Sequence, residues 1–163
     1  MTEKVIVRQR GEGKTVLVGA SDYINYRVRS DETDGSYFCF EAATTPGFGP
    51  PLHSHAYREL FYVVEGTYEF TIDRGSGRET IVGTPGTTIS VPPDVPHTFR
   101  NAGQALGRLL MVHQPAALEE FVEEVGVPVE RVGDLPAGVQ PPDPAAMGEA
   151  LARNGVRIVA PVG

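Results

Sequence analysis

Short apolar runs separated by turn residues dominate the first two thirds of the chain. Residues 67–72 alternate polar with apolar side chains, and Tyr68, Phe70 and Ile72 recur at the period of two that is typical of a half-buried β-strand. Glycine-containing turns separate the runs, as at residues 74–77. Further strands are predicted at residues 16–18, 23–29, 36–43, 60–64, 87–91 and 109–112.

The pattern changes to that of a helix after residue 115. Apolar side chains recur at i, i+3, i+4 and i+7 in Leu118, Phe121, Val122 and Val125. Pro115 precedes this segment and Gly126 follows it, as expected for the start and the end of a helix. We predict an amphipathic helix here, followed by a surface linker over the Pro- and Gly-rich residues 128–142.

A second helix is predicted near the end of the chain. Asp143 and Pro144 suit its N-cap and first turn, and Asn154-Gly155 suits its end. Residues 143–163 are expected to pack against the strands, because the helix carries an apolar stripe that needs a partner surface. That stripe consists of Met147, Ala150 and Leu151. A last short strand is predicted at residues 156–159.

Many short strands followed by helices predict an all-β barrel or sandwich with a helical appendage. We place the barrel in residues 1–115 and the C-terminal helical extension in residues 116–163. The length of 163 residues suits a single domain, and 19 glycines with 14 prolines suit a protein with many tight turns.

Net charge and hydropathy indicate which partners and which cellular location to expect. The chain has 14 basic and 21 acidic residues, a net charge of −7, and no basic cluster. Nucleic acids and anionic membrane surfaces attract positive patches, so neither is an expected partner. The N-terminal residues contain no apolar signal segment, and no stretch approaches the ~18 apolar residues of a membrane span. A cytoplasmic protein is expected.

Three histidines and a glutamate are the candidate metal ligands. His53, His55 and Glu59 share the same parity, so on one uninterrupted strand they would point to one face. His97 lies in a second, Pro-rich segment. Imidazole and carboxylate are the usual ligands of first-row transition metals. The alternative at this point is a set of unrelated histidines in surface loops.

The spacing of these residues resembles the two sequence motifs of the cupin family. The first motif, G(X)5HXH(X)3–4E(X)6G, is matched at every position by Gly47-x5-His53-x-His55-x3-Glu59-x6-Gly66. The second, G(X)5PXG(X)2H(X)3N, is matched by Gly86-x5-Pro92-x-Asp94-x2-His97-x3-Asn101, except that Asp94 replaces the middle glycine. Aspartate tolerates positive φ better than most residues, so this departure is mild.

The resemblance implies a fold and a metal site. The fold would be the cupin jelly-roll barrel, a double-stranded β-helix, present once and followed by the C-terminal helices. His53, His55, Glu59 and His97 would bind one divalent transition-metal ion, which could be Fe, Mn, Ni, Co, Cu or Zn. Cupins also host many unrelated activities, so the motifs leave the reaction open.

Longer stretches resemble the small bacterial cupins that are called quercetinase-like. They include residues 40–53, the run 61–66 and the tail 154–161. This resemblance implies a metal-dependent dioxygenase acting on a small enolic or phenolic, flavonol-like compound, with Glu59 as catalytic base. The alternatives are a redox-neutral isomerase or polyketide cyclase, and a small-molecule-binding cupin without enzymatic activity.

Further side chains are candidates for the substrate pocket or for contact between subunits. Phe61, Phe70, Phe99 and Met111 would line an apolar cavity in a small barrel, the alternative being core packing. His113 shares parity with Met111 and would contact the ligands or the substrate, the alternative being a capped strand end.

A homodimer is expected, because exposed strand edges tend to be covered, with residues 5–18 supplying the covering strand.

Overall fold

Two antiparallel sheets enclose one hydrophobic core. The computed structural model describes residues 4–159, and this part of the chain holds twelve strands and two α-helices. The strands of the barrel are β1 (Thr15–Val18), β2 (Asp22–Val28), β3 (Phe38–Thr44), β4 (His53–Ser54), β5 (Arg58–Glu65), β6 (Tyr68–Asp73), β7 (Arg78–Gly83), β8 (Thr88–Val91), β9 (His97–Asn101) and β10 (Gly107–Gln114). They are followed by α1 (Glu119–Val125), β11 (Val127–Val129), α2 (Pro144–Arg153) and β12 (Arg157–Ile158).

The order of the strands is that of a jelly roll. A seven-stranded sheet runs β11-β1-β2-β3-β10-β5-β8, and a five-stranded sheet runs β12-β4-β9-β6-β7. Consecutive strands repeatedly lie in different sheets, as β4 and β5 do, so the chain wraps around the core. The all-β fold predicted from the alternation of side chains is confirmed.

Alternation along the strands decides which side chains enter the core. On β6 the buried residues are Tyr68, Phe70 and Ile72, as the period of two predicted. Residues from both sheets form one cluster, in which Phe61 of β5 and Phe99 of β9 also lie. Six aromatic side chains of this core are nearly inaccessible, namely Tyr26, Tyr68, Phe38, Phe40, Phe61 and Phe70.

Both predicted helices form, and α2 packs as its apolar stripe requires. Asp143 caps α2, since its side chain accepts a hydrogen bond from the backbone N–H of Ala145 at 3.2 Å. Ala150 is 2% exposed, and Met147 and Leu151 pack against the core. The stripe of α2 therefore contacts the core, and residues 160–163 of the predicted extension lie outside the described part. Neither helix among residues 4–159 has the length and hydrophobicity that crossing a bilayer requires.

The C-terminal residues also complete both sheets. β11 pairs with β1 at the edge of the seven-stranded sheet, so residues 127–129 are a strand and only the following residues form the predicted linker. β12 pairs with β4, which confirms the short strand predicted at 156–159. Because β1 lies between β2 and β11 of its own chain, residues 15–18 are not available to cover a second chain, and a covering strand from residues 5–14 remains a prediction.

Candidate metal centre

The chain crosses from one sheet to the other within the segment that carries three of the predicted ligands. His53 lies on β4 in the five-stranded sheet, Glu59 lies on β5 in the seven-stranded sheet, and His55 lies between them. The single uninterrupted strand assumed from their shared parity therefore does not form. The side chains converge because the crossing carries them to facing walls of the barrel. His97 begins β9 and pairs directly with His53.

The four predicted ligand side chains meet at one point. One ligand atom from each of His53, His55, Glu59 and His97 lies within 4.8 Å of the other three. Nε2 of His55 and Nε2 of His97 each lie 2.8 Å from Glu59 Oε2. Ligand atoms about 2.0–2.2 Å from a shared ion lie roughly 3–4 Å from one another. The spacing of the donors therefore suits a metal ion.

Backbone carbonyl groups orient the imidazole rings of these three histidines. Nδ1 of His53 lies 2.8 Å from the carbonyl of Pro51, Nδ1 of His97 lies 2.8 Å from that of Val95, and Nδ1 of His55 lies 3.0 Å from a carbonyl two residues further on. A carbonyl oxygen only accepts, so each Nδ1 carries the proton and donates it. The lone pair of each Nε2 atom is then free to bind a metal ion in the site. This is how proteins hold metal-binding imidazoles.

The protonation states of His53 and Glu59 favour metal binding. Burial, with a smaller effect of the neighbouring His97, lowers the pKa of His53 to about 4, so this ring is neutral at physiological pH. Burial alone would raise the pKa of Glu59, but the contacts with His113, His55 and His97 outweigh it and hold that pKa well below its ordinary value. Neutral imidazole and ionised carboxylate are the forms that bind metal ions.

Comparison with known proteins agrees with this geometry. The family described as the cupin domain matches residues 40–113, which contain all four donors. The chain carries a cupin domain. No curated protein matches its sequence.

Solved cupin structures share the fold at low sequence identity. An RmlC-like cupin from Shewanella frigidimarina is 21% identical, with a TM-score of 0.59 over 75% of this chain and 100% of that one. The polyketide cyclase RemF from Streptomyces resistomycificus is 21% identical, with a TM-score of 0.56 over 70% of this chain and 80% of that one. An oxalate decarboxylase from Bacillus subtilis is 18% identical, with a TM-score of 0.60, and the match covers 79% of this chain but 33% of that enzyme.

The second cupin motif builds the turn that presents His97. Asp94 takes the place of the motif glycine and has a φ of 63°, which explains why the motif favours glycine there. Its backbone N–H donates to the carbonyl of His55 at 2.8 Å, so this turn is joined to the first motif. The motif asparagine, Asn101, is fully buried and its amide donates to the carbonyls of Thr44 and Ala105 at 2.8 and 2.9 Å.

The predicted pocket residues lie inside the barrel, next to the donors. The ring centroids of Phe61, Phe70 and Phe99 are 5.4 to 6.5 Å apart, and Phe61 meets His97 edge-on at 6.0 Å. Met111 is 5% exposed and belongs to the same cluster. These side chains pack on one another in this cupin, and their contact with a ligand remains a prediction.

A cavity of about 290 Å³ lies between the edges of the two sheets. Its wall includes Ile72, which pairs across from His97, and Val91, which pairs across from Glu59. None of the residues that line this cavity was predicted from the sequence to line a pocket. The alternation on β6 indicated that Ile72 points inward, but the pairing of β8 with β5, which brings Ile89 and Val91 to the cavity, is a long-range feature. The full lining is Ile72, Arg74, Ile81, Ile89, Ser90, Val91, Pro92 and Val95.

Two further side chains contact the donors. His113 pairs across from Glu59, and its Nε2 lies 2.9 Å from Glu59 Oε1. Tyr57, which was not predicted from the sequence, stacks on His55 with the ring centroids 3.7 Å apart. Its position two residues after the HxH pair was the one available signal.

The left-handed backbone of Asp94 leads to a prediction about folding stability. Asp94→Ala should be less stable than Asp94→Gly by about 1–2 kcal/mol, because a Cβ disfavours this conformation. Both variants lose the exposed ion pair with Arg157, so their difference isolates the backbone effect. Urea unfolding of the two proteins measures it. Equal stability would contradict the role assigned to the turn.

Proposed function

We propose that this cupin binds one divalent transition-metal ion through His53, His55, Glu59 and His97 and oxygenates a small enolic or phenolic compound. The observation that carries the proposal is the convergence of one nitrogen atom from each of three imidazoles and one carboxylate oxygen within 4.8 Å of one another. This donor set suits Fe, Mn, Co, Ni, Cu and Zn. With four protein ligands an octahedral ion keeps two positions for substrate.

The neighbouring cavity supports a small, largely apolar substrate. Five of its lining side chains are aliphatic, namely Ile72, Ile81, Ile89, Val91 and Val95. The guanidinium of Arg74 is paired with Glu79 at 2.8 Å, so the wall offers little unpaired charge. A compound with a hydrocarbon body and one acidic hydroxyl group matches such a wall beside the donors.

Glu59 is the proposed general base. Its low pKa keeps it ionised, and its carboxylate lies among the donors where a substrate hydroxyl would arrive. When bound, the metal ion supplies a Lewis acid that stabilises the oxyanion of the substrate. Glu59 then accepts the hydroxyl proton, and the buried walls keep bulk water from the enolate. Dioxygen is the proposed oxidant.

An oxygen electrode tests the reaction. Metal-loaded protein is mixed with flavonols and related enols, and oxygen uptake is compared with substrate loss. Uptake that matches substrate loss supports the dioxygenase. Conversion without uptake would indicate an isomerase or a cyclase, the activity named for the fold neighbour RemF. Binding without conversion would indicate a non-enzymatic cupin.

His97→Ala should sharply reduce the metal content of the purified protein. The substitution removes one of the four donors and leaves the pair His53 and His55 in place. Elemental analysis should give close to one transition-metal ion per wild-type chain and far less in the variant. Arg100→Ala on the same strand is the control, because Arg100 is exposed. Normal metal content in His97→Ala would remove His97 from the site.

Glu59→Gln should separate the two roles proposed for Glu59. Three imidazoles still hold a divalent ion, so metal content should fall only partly. Turnover at full metal occupancy should fall by roughly 10²–10⁴-fold, because glutamine cannot accept the proton. The exposed Glu69→Gln is the matched control. A fully loaded Glu59→Gln protein that turns over like wild type would leave Glu59 a ligand and exclude it as the base.

We also propose that the protein is a homodimer. The outer surface of the seven-stranded sheet is covered at one side, where residues after β11 pack on Leu17, Tyr23 and Ala43. Over β5 it is open, and Tyr62 and Val64 are 41% and 40% exposed. A second copy would cover this face.

Light scattering at micromolar concentration tests the dimer. Wild type should have twice the mass of one chain, and Tyr62→Glu should shift it toward the monomer, because the charge would be buried at the interface. Val82→Glu is the control, since Val82 is 62% exposed on the other sheet. A monomeric wild type would contradict the proposal.

A further inference from the structure

The fourth histidine of the chain, His113, is buried and faces the carboxylate of Glu59 from the side opposite the other three. His113 of β10 lies directly across from Glu59 of β5, and it is completely inaccessible to solvent. Cross-strand partners of this kind place their side chains on the same face of the sheet. The two residues are 54 positions apart in the sequence, so only the sheet brings them together.

The two carboxylate oxygens of Glu59 have separate partners. Oε2 lies 2.8 Å from Nε2 of both His55 and His97, among the converging donors. Oε1 lies 2.9 Å from Nε2 of His113. Among residues 4–159, the group whose ligand atoms all lie within 4.8 Å of one another does not include His113. His113 is thus a partner of the carboxylate and not a fourth imidazole at the ion site.

The ring of His113 is held by its own contacts. Nδ1 lies 3.0 Å from the carbonyl oxygen of Ala117, just before α1. The ring meets Phe40 edge-on with the centroids 5.1 Å apart, and it lies 4.8 Å from the ring of Tyr57. The backbone N–H of Ala116 donates to the carbonyl of Gly35 at 3.0 Å and anchors the same loop. A ring fixed on three sides can define the position of the group it binds.

We propose that His113 is a positioning residue: both of its ring nitrogens face acceptors and carry a proton, and its Nε2–H donates to Glu59 Oε1 and so presents Oε2 alone to the metal ion. A carboxylate without this partner can turn and bind the ion through both oxygens. The hydrogen bond therefore sets Glu59 as a one-oxygen ligand and leaves a coordination position open. This inference rests on the proposed metal site.

Cobalt binding tests the proposal without a substrate. Co(II) is added to wild type, His113→Leu and His113→Gln, and affinity is measured by competition with a chelator. Loss of a group that orients a metal ligand costs about 10–100-fold in affinity. His113→Leu should show that loss, and its visible Co(II) spectrum should change with the coordination of Glu59. His113→Gln retains an N–H near the position of Nε2 and should recover most of the affinity and the wild-type spectrum.

Leu109→Met is the matched control, because Leu109 is buried on the same face of β10, four residues before His113. It should leave affinity and spectrum unchanged. If His113→Leu only lowers the thermal stability of the metal-free protein and binds Co(II) as wild type does, the positioning role is overturned and the metal site stands. If His113→Leu does not fold, failure of His113→Gln to bind Co(II) with near wild-type affinity and spectrum overturns the role. Wild type that binds no Co(II) overturns the metal site and the inference together.

Discussion

A carboxylate buried in the barrel is the constraint on which the rest of the site depends. Glu59 is 3% exposed, and an unpaired charge at such a depth costs several kcal/mol. Imidazole rings surround it: His55 and His97 at one oxygen and His113 at the other. Every one of these rings directs Nδ1 to a backbone carbonyl. The charge is therefore held by side chains whose orientation is set by the main chain.

That arrangement requires both sheets and the C-terminal extension. The pairing of His53 with His97 belongs to the five-stranded sheet, and the pairing of Glu59 with His113 belongs to the seven-stranded sheet. The carbonyl of Ala117 comes from the start of the C-terminal region, and β12 covers the edge of β4 beside His53. Residues well outside the ligand motifs thus stabilise the geometry of the donors.

The surroundings of the donors are asymmetric, and the proposed function uses this asymmetry. Aromatic rings around Phe61 fill the interior on one side and exclude water. Aliphatic residues around Val91 leave a cavity of about 290 Å³ between the sheet edges on the other. A substrate whose hydroxyl reaches the metal ion would place its apolar body in this cavity. The chemistry then depends on the state of Glu59, which is ionised and held at both oxygens.

The fold class, most strands, both helices and the four converging donors could be predicted from the order of the amino acids. Those features are local. A period of two marks a strand. The two cupin motifs contain both the ligands and the turns that present them, such as the left-handed turn at Asp94. Three features became visible only in the folded chain. The strand that carries His53 ends before Glu59, residues 127–129 pair with β1, and His113 contacts the carboxylate of Glu59. Each of these depends on which distant strands pair and in which register, and a single sequence contains no local signal for that choice.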